Sequence, residues 1–137
     1  MADQARDLIR EAIKGKPDDE VMKLTEGLGG VDAALDMVFE GMEQALNADK
    51  AVDCVIGWDI TNQDKTYEFG VTVQDKKATS AKGKPADPRV TLACSFVDFI
   101  RLVAGELDGM TAFMNGKLKI AGDIMFAQQI PQMFGIA

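Results

Sequence analysis

The sequence contains no histidine, so its 137 residues cannot assemble a Ser-His-Asp or Cys-His arrangement, a His-ligated zinc site or an imidazole acid–base. Serine is scarce: Ser80 and Ser95 are the two present, and neither lies in a Gly-x-Ser-x-Gly elbow. Two cysteines, Cys54 and Cys94, cannot supply a thiolate zinc site or a Cys-x-x-Cys redox pair. Apolar runs stay short, which leaves no candidate membrane span. Met1 to Asp7 carry acidic side chains where a signal peptide would carry an apolar stretch, so the expected location is cytoplasmic, with both cysteines as thiols. A basic surplus is missing too. Lys and Arg number 15 against 22 acidic residues, net −7, which argues against nucleic acid as a partner. Catalysis is therefore the minor expectation, and no catalytic residue, metal ligand or cofactor is assigned. The one carboxylate pair considered, Asp53 and Asp59, falls on the polar face of a strand and reads as solvated surface.

What is present suits one globular domain: 47% of residues are apolar and 27% charged. Charge is uneven, with 12 acidic and 6 basic side chains in residues 1–50. Residues 3–14 and 18–28 read as two weak helices, the second opened by Asp18, Asp19 and Glu20. Gly27, Gly29 and Gly30 follow. Without a preceding strand or a Lys-Ser/Thr ending, they read as a helix–helix connection and not as a phosphate loop. Leu35, Val38, Phe39, Met42 and Leu46 then form one stripe of a helix over 32–47, with Asp32 as its expected cap.

Beyond residue 50 the period changes to two. Val52, Cys54, Ile56, Trp58 and Ile60 alternate with mostly polar residues, and Tyr67, Phe69, Val71 and Val73 do so after the turn Asn62-Gln63-Asp64. Residues 77–82 read as an edge strand, and Val90, Leu92 and Cys94 mark a fourth. Ser95 opens a helix that carries Phe96, Phe99, Ile100 and Val103 and stops at Gly105. Thr111 to Met114 make a helical turn, Lys117 to Ile120 a fifth strand, and Asp123 caps a last helix disturbed by Pro131. The pattern predicts an α+β fold: a mostly antiparallel five-stranded sheet of consecutive hairpins with helices on one face.

Nine of the fifteen Phe and Met residues fall within residues 96–137. Such a cluster is usually core, but methionine also lines adaptable apolar cavities. The segment Thr111-Ala112-Phe113-Met114-Asn115-Gly116-Lys117-Leu118-Lys119-Ile120-Ala121-Gly122-Asp123, with Asp98-Phe99 upstream, resembles the sterol carrier protein 2 family over residues 32–134. The resemblance implies a lipid-binding domain over 31–137, in which a hydrophobic tunnel between sheet and helices takes a sterol, fatty acid or fatty acyl-CoA without catalysis. It places Phe96, Phe99, Ile100 and Val103 in one wall and Met110, Phe113 and Met114 near the mouth. Met125, Phe126 and Ile130 would form the cover, with Met133 and Phe134 beyond. Two departures are visible. Met110 stands where many relatives carry a polar residue, and Phe134-Gly135-Ile136-Ala137 is not a Ser-Lys-Leu-type peroxisomal address. Residues 1–30 are an N-terminal helical extension without a family counterpart, the surface where an enzyme partner or a second copy would dock. The run Lys76, Lys77, Lys82, Lys84 and Arg89 has two readings: a lysine-guarded edge strand, or a basic patch that meets anionic membranes during transfer.

Overall fold

The computed structural model describes residues 10–134. Residues 3–9 of the expected first helix lie outside that range; α1 is helical over 10–13. Helices α2 (Asp18–Gly27) and α3 (Val31–Ala45) follow. Strands β1 (Cys54–Asn62), β2 (Lys65–Gln74), β3 (Lys77–Lys82), β4 (Val90–Ser95) and β5 (Leu118–Gly122) form one sheet in the order β3-β2-β1-β4-β5. Helices α4 (Phe96–Val103) and α5 (Gly109–Met114) separate β4 from β5, and two single turns, α6 (Ile124–Ala127) and α7 (Ile130–Met133), close the described chain.

The hairpins β1-β2 and β2-β3 form where alternation and turn residues predict them, with Asn62 opposite Lys65. The expected run of hairpins then stops. β4 returns to lie parallel to β1 and pairs with β5 antiparallel. The reason lies at the edges. The outer edge of β3 is covered by α3, where Glu43 Oε2 accepts from Ser80 N and Ser80 Oγ at 2.6 Å each. The other side of β1 still offers unpaired backbone groups, which β4 satisfies. The connection passes over the back of the sheet. Pro85 lies so close to Gly70 that a Cβ there would be 2.9 Å from the proline ring.

Inward residues of alternate strand positions meet the helices in one core. Phe39 on α3 stacks on Phe69 at 4.3 Å and on Phe99 of α4 at 5.4 Å, while Trp58 meets Phe99 edge-on at 5.3 Å. Each such pair contributes about 0.5–1.5 kcal/mol beyond its burial. Ile13 and Val21 are buried in the same core. Arg10 donates to the carbonyls of Ala104 and Gly105, and Arg101 donates to Lys16 O at 2.9 Å and pairs with Asp18. The helical segment before residue 30 is thus fastened across the end of α4.

Three local expectations are corrected. Gly30, at φ 98°, precedes the first residue of α3 and places Asp32 in the first turn, so Asp32 is not the cap. Val52 is exposed and precedes β1, because the pairing with β2 begins at Cys54 opposite Val73. The single last helix is two turns, since Pro131 opens α7 in place of ending a longer helix.

Candidate functional site

Between the β4–β5 side of the sheet and the short C-terminal helices lies a cavity of about 320 Å³. Trp58, Leu92, Leu118 and Ile120 form its floor. Leu102, Val103 and Leu107 close the side where α4 ends, and Met110 and Phe113 project from α5. Ile124, Ala127, Gln128 and Ile130 cover it, and Gln128 is the one amide among these lining side chains. The site is apolar almost throughout. Its one notable buried donor is Trp58 Nε1, which has no hydrogen-bond partner among the described residues. No group of acidic or cysteine side chains placed to hold a metal occurs among the described residues.

Three of the helices bordering the cavity start at a side-chain cap, and α7 has none. Ser95 Oγ accepts from Asp98 N at 3.2 Å for α4, Asp108 Oδ2 from Thr111 N at 3.0 Å for α5, and Asp123 Oδ1 from Phe126 N at 2.9 Å for α6. The cover is also clasped to the sheet. The Arg89 guanidinium lies 4.0 Å from the centre of the Phe126 ring and pairs with Asp123 at 3.2 Å. Gly122, at φ 104°, lets the chain pass so close to Arg89 that a Cβ would be 2.6 Å from its carbonyl oxygen. The Phe126 N–H bond, helped by Arg89, holds the Asp123 carboxyl below the usual carboxylate range.

Of the side chains singled out in the sequence, Val103, Met110, Phe113 and Ile130 line this cavity. Phe96, Phe99 and Ile100 are buried outside the lining, and Phe99 belongs to the aromatic core. Phe126, Met133 and Phe134 are buried but do not line it either, Phe126 being turned to Arg89. Met114 and Met125 are 78% and 73% exposed and stand outside it. The floor was missed. Trp58, Leu92, Leu118 and Ile120 were legible as inward strand residues, but their convergence depends on β4 lying between β1 and β5. The basic run is also divided: Lys82 pairs with Asp36 at 3.5 Å and Arg89 with Asp123, while Lys76, Lys77 and Lys84 are exposed. Asp53 accepts from Asp75 N, and Asp59 lies in β1 on the back of the sheet.

The model of the SCP-2 sterol transfer family matches residues 35–135. The chain belongs to this family. Among curated relatives, the oleate-induced peroxisomal protein POX18 of Candida maltosa is 37% identical over 93 residues, 66% of this chain and 73% of that protein. Hydroxysteroid dehydrogenase-like protein 2 of Bos taurus is 28% identical over 103 residues, and there the match spans 73% of this chain but 24% of the relative. In the solved structures, the sterol carrier protein 2 of Aedes aegypti in complex with palmitate superposes with a TM-score of 0.58 at 18% identity, covering 74% of this chain and 94% of that one. That likeness is one of fold. No described helix of this SCP2 chain is long and apolar enough to cross a membrane.

Proposed function

We propose that this SCP2 domain binds and carries an apolar lipid, a sterol, fatty acid or fatty acyl-CoA, in the cavity between β4, β5 and the C-terminal helices, without catalysing a reaction. The observation that carries the reading is the cavity itself: about 320 Å³ of space lined almost wholly by hydrocarbon in a chain of this family. The volume falls at the lower end of the roughly 300–1,000 Å³ typical of ligand sites, so a long chain would require the cover to shift. Burying a 16-carbon chain at about 0.8 kcal/mol per methylene yields on the order of 12 kcal/mol gross. Association and ordering remove several kcal/mol, which leaves about micromolar affinity with little demand for a specific polar contact. Two free cysteines accord with a reducing, cytoplasmic setting.

Leu107→Trp tests the site. Leu107 lines the cavity while remaining part-exposed, so an indole there occupies the space without replacing a core side chain. The expected result is an unchanged circular dichroism spectrum with about tenfold or greater loss of affinity for a fluorescent fatty acid, the scale of a lost pair of methylene contacts. Equal binding by parent and variant refutes the cavity as the site.

A second reading has one observation in its favour: the chain matches a quarter-length portion (24%) of a dehydrogenase-like protein, so such a domain also occurs joined to a larger chain. On that reading, residues 1–30 dock an enzyme of lipid metabolism. Ile13 and Val21 are already buried against the domain, which limits what the extension can offer. Organic extraction of the purified protein separates the two, since a carrier releases bound lipid and a scaffold does not.

A further inference from the structure

Trp58 stands where the cavity meets the aromatic core. Strand register places Phe69, Trp58, Leu92 and Ile120 in one inward row across the sheet. On one side of the indole are rings, with Phe99 edge-on at 5.3 Å and Phe39 at 6.2 Å. On the other side Leu92 and Ile120 continue the cavity floor. The lining residues Met110 and Ile124 are exposed and mark the mouth, so Trp58, 4% exposed and on the central strand, lies at the inner end. Of the lining side chains, Trp58 and Gln128 carry N–H donors. They differ in their access to water. Gln128 is exposed and can be solvated, whereas Trp58 Nε1 is buried without a partner among the described residues. A buried N–H left unpaired is costly, and native proteins keep such groups rare. The neighbouring rings offer only a weak π face in place of an acceptor. The open space that adjoins the indole is the cavity, so an oxygen that satisfies this donor arrives with the cargo.

We infer that Trp58 Nε1 recognises the cargo, donating a hydrogen bond to a neutral oxygen at the end of the lipid that enters first: a hydroxyl, a ketone or an ester carbonyl. A carboxylate does not suit that place. No lining side chain is charged, so an ion there is desolvated without a partner. A fatty acid therefore keeps its carboxylate at the mouth, where Met110 and Ile124 meet water, and leaves the indole unpaired. Burial of methylenes supplies most of the affinity for either cargo. The indole bond adds orientation and discrimination, because a plain hydrocarbon chain against Trp58 leaves the donor orphaned. The inference rests on the lipid-carrier reading above and names the chemical class of lipid which that cavity selects.

Trp58 is the single tryptophan of the chain, so isotope-labelled protein gives one indole N–H resonance. The full chain is titrated at neutral pH with dodecane, methyl decyl ketone and dodecanoic acid, and each is also competed against a fluorescent fatty acid. The ketone is expected to move the indole proton to lower field and slow its exchange with solvent, as a hydrogen bond does. Dodecane and dodecanoate should leave it close to its unliganded position. Trp58→Phe keeps a ring and loses the donor, and should weaken the ketone about fivefold more than dodecane. The parent spectra decide the matter even where that variant fails to fold. An indole proton that the ketone moves no further than dodecane does overturns the inference and gives the N–H to the faces of Phe39 and Phe99. Equal weakening of both ligands in a folded Trp58→Phe also overturns it, since the ring is then a packing surface. A shift with dodecanoate as large as with the ketone overturns the restriction to a neutral oxygen. Competition by all three ligands with an unmoved indole sinks this inference alone, whereas failure of the parent to bind the fluorescent fatty acid or any of the three sinks the carrier reading.

Discussion

Cys54 and Cys94 share a strand phase but not an environment. Cys94, opposite Leu118 in the sheet, is buried, and burial pushes its thiol up to about 12. Cys54, at the first position of β1, is half-buried; burial raises its thiol, and the nearby Arg89 charge counters part of that. The thiolate is the nucleophile, so a polar alkylating reagent at neutral pH should modify Cys54 first and Cys94 at least about tenfold more slowly, approaching the unfolding rate. Intact-protein mass spectrometry over a labelling time course reads this, and equal rates would contradict the burial of Cys94. A pH effect accompanies it. The folded state holds the Cys94 proton more tightly than the unfolded chain, so the benefit of the neutral thiol is complete below pH 9.0 and is lost as pH rises towards about 12. The sequence pattern alone assigns both cysteines to the covered face. What it does not show is that β1 begins at Cys54, leaving this side chain at the end of the ladder with less cover.

At the scale of elements, the cover formed by α6 and α7 is two single turns, too short to be stable without external anchors. Its anchor is Arg89, which reaches from the start of β4 to the Phe126 ring and the Asp123 carboxylate. Arg89→Ala should therefore leave the sheet intact but speed release of a bound neutral fluorescent lipid several-fold, with a stability loss of about 1 kcal/mol from the cation–π contact. Stopped-flow release compared with chemical denaturation separates the two effects; unchanged release would show that the clasp does not govern the cover. Acid should act at the same place. Because the folded Asp123 carboxyl lies below its usual range, its contribution is present above the ordinary carboxylate values and is lost as pH falls through the lowered one. A neutral probe is needed so that its own headgroup does not titrate. The helices α2, α3 and α4 and the first three strands were legible because each keeps one period with an interpretable start or stop. The cover was legible as apolar, yet the direction of Phe126 was not. Its partner Arg89 is far away in sequence and belongs to a run that local reading treats as a single basic patch.

Over the whole molecule, the sheet joins two unequal parts. β1, β2 and β3 form a meander of local pairings, backed by α3, whereas β4 reaches β1 only through the long connection behind the sheet. The short helices of the other part hold fewer buried side chains and surround a void. Amide hydrogen exchange should therefore be slowest in β1 and β2 and fastest, among the structured elements, in α5, α6 and α7. Saturating lipid should slow the latter group selectively. Uniform protection, or slowing confined to β2 and β3, would contradict that division. The overall α+β class could be read from the order of periods, but the parallel β1–β4 contact could not, because an alternating strand carries no mark of which neighbour it will choose. That topology has a consequence for heredity. Apart from Trp58, every described side chain lining the cavity lies between Leu92 and Ile130, downstream of the connection that crosses the back of the sheet. A single recombination event in that connection would exchange this described lining as one cassette, and Trp58 would be, among the described residues, the one inherited side chain obliged to fit whatever new cargo the incoming segment was shaped to hold.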